Sequence, residues 1–201
     1  MDGLYAVKPW CTRRLRRAVD AAVAHRVSPD VFTAAGVLAA GLAAVCIAHG
    51  WWGGALLALA ARLAGANLDG AVARARGVGR PWGFVLNELG DLTTDLTVFA
   101  GLGWLAASTA GWASTQVVLV AVADAAATLP TFAALAAAGA GATRRNGGPI
   151  GKTERCLLAV LATAWPAALP VICLLVVAGS LLTAGLRLVA AHRELTAGVP
   201  A

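Results

Sequence analysis

Charged side chains are scarce in this chain of 201 residues, because only 13% of them are Asp, Glu, Lys or Arg. A soluble domain usually has about 25% charged residues and about half apolar residues. This chain is 59% hydrophobic, with a mean hydropathy of +0.75. The composition excludes an ordinary soluble domain and favours an integral membrane protein.

Cysteine and histidine are also rare and give no support for a site built from them. The four cysteines show no metal-ligand spacing and most lie in apolar segments, so we interpret them as small hydrophobic side chains. The three histidines lie near the ends of different apolar segments, and none is assigned a catalytic role. A Walker loop is absent too, because Asn146 stands where its first glycine would be and no strand precedes it.

Long apolar runs make up most of the sequence. A helix needs about 20 apolar residues to cross the hydrocarbon core of a bilayer, and the fifth run is short because Pro166 and Pro170 lie at its end. We predict an all-α integral membrane protein with six transmembrane helices, near Val31–His49, Trp51–Val72, Phe84–Ala107, Gln116–Ala138, Cys156–Ala168 and Pro170–Ala190.

The basic residues fall on one side of this arrangement. Of the 16 Lys and Arg residues, all but Arg62 lie before the first span, in the loops after the second and fourth spans, or near the end of the chain, where Arg187 is close to the end of the sixth span and Arg193 follows it. Short cytoplasmic loops are enriched in Lys and Arg, so both termini are predicted to be cytoplasmic. Topology and anionic lipids then explain the net charge of +6 without a nucleic-acid partner. The alanine-rich composition and short loops favour a bacterial inner membrane.

Residues 8–28 are rich in arginine and too polar to span a membrane. We predict that they form an amphipathic helix on the cytoplasmic surface and that Ser28, Pro29 and Asp30 begin the first span. A cleaved signal peptide is not expected, since the first apolar run starts late and more spans follow. Residues 1–201 are predicted to form a single membrane domain with its bundle at residues 31–190.

Acidic residues between Asp69 and Asp95 lie in or beside the predicted spans, where a charge costs about 2.5–3.5 kcal/mol and usually marks a functional site. This segment resembles the signature of the CDP-alcohol phosphotransferase family, D-x2-D-G-x2-A-R-x8-G-x3-D-x3-D. The positions that match are Asp69, Gly70, Ala73, Arg74, Gly83 and Asp91.

The resemblance implies a six-helix membrane enzyme with a preceding amphipathic helix, and a homodimer. It implies transfer of a substituted phosphate, commonly phosphatidyl, from a CDP-linked donor such as CDP-diacylglycerol to an alcohol, with release of CMP, in phospholipid synthesis. Mg²⁺ or Mn²⁺ held by the aspartates would neutralise the pyrophosphate. Glycerol phosphate or inositol phosphate would suit the cationic loops as acceptor, although serine and other headgroup alcohols present the same hydroxyl.

Two positions depart from the signature, because Ala66 replaces its first aspartate and Asn87 its third. A second register keeps the closing D-x3-D as Asp91 and Asp95, at the expense of four extra residues after Gly83. Four residues are about one helical turn, so the same helix face would be presented. Both registers stay open.

Helical geometry allows the third span to present several ligands on one face. At about 100° per residue, Asn87 and Asp95 lie about 40° to either side of Asp91, and Glu88 lies about 60° away on the Asp95 side. We predict Asp69 and Asp91 as metal ligands, Asn87 as a neutral oxygen ligand or a hydrogen-bonding group, and Glu88 as an additional acid of the metal site. The base that takes the proton from the attacking hydroxyl is Asp91 in the first register and Asp95 in the second.

Substrate contacts are predicted from both cytoplasmic loops and the helix ends beside them. Gly70 and Ala73 keep the helix wall thin for the nucleotide, Arg74 contacts phosphate, and Gly83 belongs to the same set. The loop between spans four and five combines glycines with cations. Its predicted phosphate-binding residues are Arg144, Arg145 and Lys152.

Arg62 and Asp95 are predicted to lie at one depth and to form an ion pair, with Asp124 near the same level. Two other functions stay open. An inactive relative that binds nucleotide or lipid is suggested by Ala66 and Asn87. A small transporter that uses the three intramembrane charges as a relay is the other, but it leaves the signature spacing unexplained.

Overall fold

The computed structural model describes residues 14–197, which form seven α-helices and one short 3₁₀ turn. No strand occurs in this part of the chain, and the all-α prediction is confirmed. The helices are α1 Arg16–Ala24, α2 Pro29–Ala48, α3 Trp52–Ala75, α4 Pro81–Ala110, α5 Thr115–Gly139, α6 Lys152–Ala164 and α7 Leu169–Ala197, and the 3₁₀ turn Pro166–Ala168 precedes α7.

Proline and serine set the beginnings of the long helices. α2 begins at Pro29 after the extended residue Ser28, and α4 begins at Pro81, because proline fits the first turn of a helix, where no backbone donor is needed. At the start of α5, the hydroxyl of Ser114 accepts a hydrogen bond from the backbone N–H of Val117 (3.4 Å). These local signals explain why the predicted spans agree with the observed helices to within a few residues, apart from longer ends on α4 and α7 and a shift of α6. The predicted end of the fifth span at Ala168 is wrong, because α6 begins earlier, at Lys152, and ends at Ala164 before Pro166.

Four helical segments of the described chain are long and apolar enough to cross a membrane, namely Pro29–Ala48, Trp52–Ala75, Thr115–Gly139 and Pro166–Ala197. They coincide with predicted spans one, two, four and six. Predicted spans three and five do not meet the same criteria of length and apolar composition. α4 has 30 residues but carries Glu88, Asp91 and Asp95, whereas α6 has 13 residues, fewer than the about 20 needed to span. The six-span count stays a prediction.

The surface helix predicted for residues 8–28 lies partly outside the described residues. Its described part, α1, exposes Arg16 and Arg17 and buries Val19 and Ala22 in a small cluster with Leu68 and its neighbours on α3. α1 therefore packs on the C-terminal half of α3, next to the signature residues.

Glycine allows α2, α3 and α4 to approach one another closely. A Cβ atom on Gly65 would lie 2.8 Å from the carbonyl oxygen of Phe32, and one on Gly101 would lie 2.7 Å from the carbonyl oxygen of Ala44. Side chains larger than hydrogen at these positions would separate the helices. The close packing brings the first turns of α2 against the signature residues of α3 and α4.

The α5–α6 loop is fixed by a buried arginine of α7. Arg187, only 8% exposed, donates hydrogen bonds to the backbone carbonyls of Pro130 (2.6 Å), Asn146 (2.7 Å) and Gly147 (3.0 Å). The loop ends where Glu154 accepts the backbone N–H of Gly151 (2.9 Å), so that α6 begins at Lys152. The sequence predicts Arg187 only as one of the basic residues on the cytoplasmic side and gives no sign of its hydrogen bonds to the loop.

Candidate active site

A cavity of about 750 Å³ opens between the C-terminal end of α3, the N-terminal end of α4 and the α1–α2 linker. This volume lies within the range of about 300–1,000 Å³ that small-molecule sites occupy. The predicted site residues that line it are Asp69, Gly70, Ala73, Arg74, Gly83 and Asn87. Its guanidinium groups are those of Arg26, Arg74, Arg76 and Arg80. Residues of the signature therefore line one cavity that is rich in arginine and glycine.

Arginine contacts hold the rim of this cavity in place. Arg76 donates hydrogen bonds to the backbone carbonyls of Arg26 (3.1 Å) and Val27 (2.6 Å), and Arg80 forms an exposed ion pair with Asp30. These contacts join the α3–α4 linker to the α1–α2 linker across the opening. They also keep several guanidinium groups at the mouth of one cavity.

Asp69 is buried at the inner end of the cavity and is the best-supported of the predicted carboxylates. Its Oδ2 accepts hydrogen bonds from the hydroxyl of Thr33 (2.9 Å) and the side-chain amide of Asn87 (3.0 Å), and its Oδ1 accepts the backbone N–H of Gly70 (2.5 Å). The structure therefore brings Asp69 and Asn87 together from α3 and α4, as the spacing predicts.

Asp91 faces two cations. Its Oδ1 accepts a hydrogen bond from Arg62 Nη2 at 3.1 Å, and its Oδ2 is paired with the ammonium of Lys152. The guanidinium of Arg62 also donates to the hydroxyl of Thr94, from Nη2 at 2.7 Å and from Nε at 3.2 Å. Arg62 is 2% exposed, so it is a buried cation held by α4 from two sides.

Asp95 lies one turn deeper along α4 and belongs to the same network. The predicted ion pair with Arg62 is confirmed at 3.8 Å, and Arg155 Nη2 lies closer, at 2.5 Å. Among the described residues, those lining the two cavities of this region do not include Asp95. The buried Oδ1 of Asp124 accepts no hydrogen bond from residues 14–197. The ion pairs of Asp95 with Arg62 and Arg155 favour a structural role for Asp95.

Three further predicted residues lie apart from Asp69. Glu88 pairs with Arg144 at 2.7 Å, because it is rotated about 100° from Asn87 around α4 and so faces away from Asp69. The guanidinium of Arg144 also lies over the ring of Phe84, 4.9 Å from its centroid. Arg145 pairs with Glu194 at 3.4 Å and is exposed. The structure thus does not place Glu88 beside Asp69, and Arg145, predicted to bind phosphate, is not among the residues that line the two cavities.

The oxygen atoms of Asp69, Asn87 and Asp91 could hold a single hard cation only if the side chain of Asn87 turned its oxygen toward Asp69 and Asp91 offered one of its oxygens. Asp69, Asn87 and Asp91 border one narrow cavity beside the larger one, and such oxygens are what Mg²⁺ and Mn²⁺ prefer. No cluster of three or more His, Cys, Asp or Glu side chains that could hold a metal ion occurs within residues 14–197. An ion here needs the amide oxygen of Asn87, which now presents its nitrogen to Asp69, and one oxygen of Asp91.

Thr33, Thr94 and the partners of Asp91 were missed from the sequence. Thr33 lies on α2, far from the signature, and no spacing identifies it. Arg62 carried a signal, because it precedes Asp69 by seven residues, about two helical turns, and therefore shares its face.

The helix arrangement is similar to that of phosphatidylinositol phosphate synthase. The crystal structure of that enzyme from Mycobacterium tuberculosis with CDP-DAG bound matches with a TM-score of 0.78 and 25% sequence identity, covering 94% of this chain and 98% of that chain. A second crystal structure of it, in complex with manganese and citrate, gives a TM-score of 0.76 at 24% identity and covers 92% of each chain.

Curated relatives carry the same name. The phosphatidylinositol phosphate synthase of Mycobacteroides abscessus is 39% identical over 140 residues, which are 68% of this chain and 61% of that protein. That of Mycolicibacterium smegmatis is 36% identical over 111 residues, 53% of this chain and 49% of that protein. The chain thus spans about three fifths and about half of the length of these two relatives. They are enzymes of the CDP-alcohol phosphotransferase family, while no family model matches this chain.

Proposed function

We propose that the protein is a membrane enzyme that transfers a phosphatidyl group from a CDP-linked donor, such as CDP-diacylglycerol, to an alcohol, with release of CMP, in phospholipid synthesis. The observation that carries the proposal is the 750 Å³ cavity in which Asp69 and the other signature residues meet four arginines. The relatives are phosphatidylinositol phosphate synthases, and one solved structure contains CDP-DAG.

The cavity suits the CDP part of such a donor. A pyrophosphate carries charge that guanidinium groups neutralise with paired hydrogen bonds, and Arg74 and Arg80 lie on the two sides of the opening. Gly70 allows Arg74 to fold back along α3, because a Cβ there would lie 3.1 Å from Arg74 Nη1. We therefore assign Gly70, Ala73, Arg74 and Gly83 to donor binding.

The reaction needs a base for the acceptor hydroxyl. As its proton moves to a carboxylate, the hydroxyl oxygen bonds to the phosphatidyl phosphorus, and the bond from that phosphorus to the oxygen of CMP breaks. Asp91 is the better candidate, because it borders the narrow cavity with Asp69 and Asn87, whereas Asp95 is not among the residues that line either cavity of this region. Mg²⁺ or Mn²⁺ held by Asp69, Asn87 and Asp91 would supply positive charge to the pyrophosphate.

The acceptor is proposed to carry a phosphate of its own, with inositol phosphate first, as the names of the relatives suggest. Besides the buried Arg62, cations of the α5–α6 loop and the first turn of α6 approach this part of the site. Arg144 reaches the edge of the cavity through Phe84, which lines it, and Lys152 reaches Asp91. Arg145 is farther out and would contribute only to attraction of the anion.

The membrane arrangement is proposed to have six spans with cytoplasmic termini, with α1 on the cytoplasmic surface and the cavity at the cytoplasmic side. The linkers on the opposite side of the bundle carry exposed tryptophans, Trp51, Trp112 and Trp165, as an aromatic belt would. The basic α3–α4 and α5–α6 linkers are at the other end. A homodimer and a bacterial inner membrane are part of the same proposal.

One observation favours a second candidate, a protein that binds nucleotide or lipid without turnover. Both oxygens of Asp91 face cations, and Ala66 and Asn87 leave fewer carboxylates than the signature has. Purified full-length protein in nanodiscs is incubated with radiolabelled CDP-diacylglycerol, inositol phosphate and Mg²⁺ or Mn²⁺, and CMP is measured. CMP release that is lost in Asp69→Asn and Asp91→Asn supports the enzyme, whereas binding of CDP-diacylglycerol without release supports the second candidate.

A further inference from the structure

Asp91 has a cation on each carboxylate oxygen. Arg62 Nη2 lies 3.1 Å from Oδ1, and the ammonium of Lys152 is on Oδ2. Asp91 is 7% exposed, so water screens these charges weakly. A carboxylate already compensated on both sides attracts a further cation poorly, so a divalent ion on Asp91 would compete with both contacts.

The two cations differ in how firmly they are held. Arg62 comes from the middle of α3, is 2% exposed and is braced by two hydrogen bonds to Thr94. Lys152 is the first residue of α6, its side chain is 32% exposed, and Gly147, Gly148 and Gly151 precede it. Of the two partners, Lys152 is the one that can leave Asp91 without disturbing the helix bundle.

We infer that Lys152 occupies the place of a divalent ion on Asp91 and competes with that ion for it. The inference rests on the proposed function, which assigns Asp91 to the reacting centre. Arg62, Lys152 and Arg155 match the carboxylates of Asp69, Asp91 and Asp95 in number, so an ion alone would leave this group of side chains with excess positive charge. When the ion arrives together with a pyrophosphate, the negative charge of the pyrophosphate compensates the added positive charge. The ammonium of Lys152, released from Asp91, can then pair with that anion.

The test measures Mn²⁺ binding by the full chain in nanodiscs, from the free Mn²⁺ signal in electron paramagnetic resonance, without turnover. Lys152→Met and Lys152→Gln are compared with wild type. Both variants are expected to bind Mn²⁺ about tenfold more tightly or better, because removal of a neighbouring cation favours any other cation on the carboxylate. Arg145→Met, which removes a cation of the same loop that pairs with Glu194, is the matched control and should stay within about twofold of wild type, since exposed pairs contribute little.

Location of the ion is checked with Asp69→Asn in the Lys152→Met background, which is expected to abolish the gain. Unchanged or weaker Mn²⁺ binding by both Lys152 variants overturns the inference, and so does a gain that Arg145→Met shares or that survives Asp69→Asn. The outcomes separate this inference from the proposed function. If the Lys152 variants bind Mn²⁺ more tightly but no variant releases CMP, the competition between Lys152 and the ion is supported and the proposed enzymatic function is refuted. If CMP is released but the Lys152 variants bind Mn²⁺ as wild type does, the enzymatic function is supported and the competition is refuted.

Discussion

Replacement of Arg62 by methionine is expected to remove the charge that holds α3 against α4. The guanidinium lies 3.1 Å from Asp91, 3.8 Å from Asp95 and 2.7 Å from the hydroxyl of Thr94. Methionine fills much of the same volume but leaves these groups without their shared partner. The variant isolates the contribution of one buried cation to the stability of the bundle.

The expected loss follows from the burial of the groups left behind. Removal of one partner from a buried ion pair usually costs about 3–5 kcal/mol, because an uncompensated charge remains in a poorly solvated place. Here Lys152 still pairs with Asp91 and Arg155 with Asp95, which favours the lower end. We expect Arg62→Met to lower the free energy of unfolding by about 3 kcal/mol.

The assay is unfolding in mixed micelles with increasing SDS, followed by circular dichroism, with Arg80→Met as the control. Arg80 also pairs with an aspartate, Asp30, but the two side chains are 54% and 41% exposed. Its loss should cost less than about 1 kcal/mol. Equal losses in the two variants would refute the reasoning, because they would show that the Arg62 network contributes no more than a surface pair.

Two smaller predictions concern the groups that place Asp69. Thr33→Val removes the hydroxyl that donates to Asp69 Oδ2 at 2.9 Å. It should lower the free energy of unfolding by about 1 kcal/mol and reduce CMP release less than Asp69→Asn does. A loss of activity equal to that of Asp69→Asn would contradict this prediction. Gly65→Ala puts a Cβ 2.8 Å from the carbonyl oxygen of Phe32; it should cost about 1–3 kcal/mol in the same unfolding assay, and wild-type stability would show that α2 and α3 can separate freely.

Local signals were enough to predict the helices and the cavity. Pro29 and Pro81 begin α2 and α4, and the interval from Asp69 to Gly83 spans the end of one helix, a linker and the start of the next. Residues at such a junction necessarily lie near one another, so the gathering of Asp69, Gly83 and Asn87 around one cavity followed from spacing.

The partners of the carboxylates depend on how separate helices pack, and spacing does not contain that information. Depth along the helices correctly predicted the pair between Arg62 and Asp95, but the nearer carboxylate is Asp91, at 3.1 Å against 3.8 Å. Aspartates one turn apart lie on one face within reach of a long arginine side chain. The approach of α6, which brings Lys152 and Arg155 to the same two aspartates, came from no feature of the signature.

The alanine at position 66 gives a physical reason for the contacts that Arg62 makes with α4. An aspartate at position 66 would follow Arg62 by four residues, the spacing at which oppositely charged side chains on one helix pair. It would compete with Asp91 and Asp95 for the guanidinium and draw it back along α3. With alanine there, Arg62 is free of a partner on its own helix and reaches across to α4. The alanine that removes one carboxylate from the signature therefore also leaves the Arg62 cation available to Asp91 and Asp95 on the neighbouring helix α4.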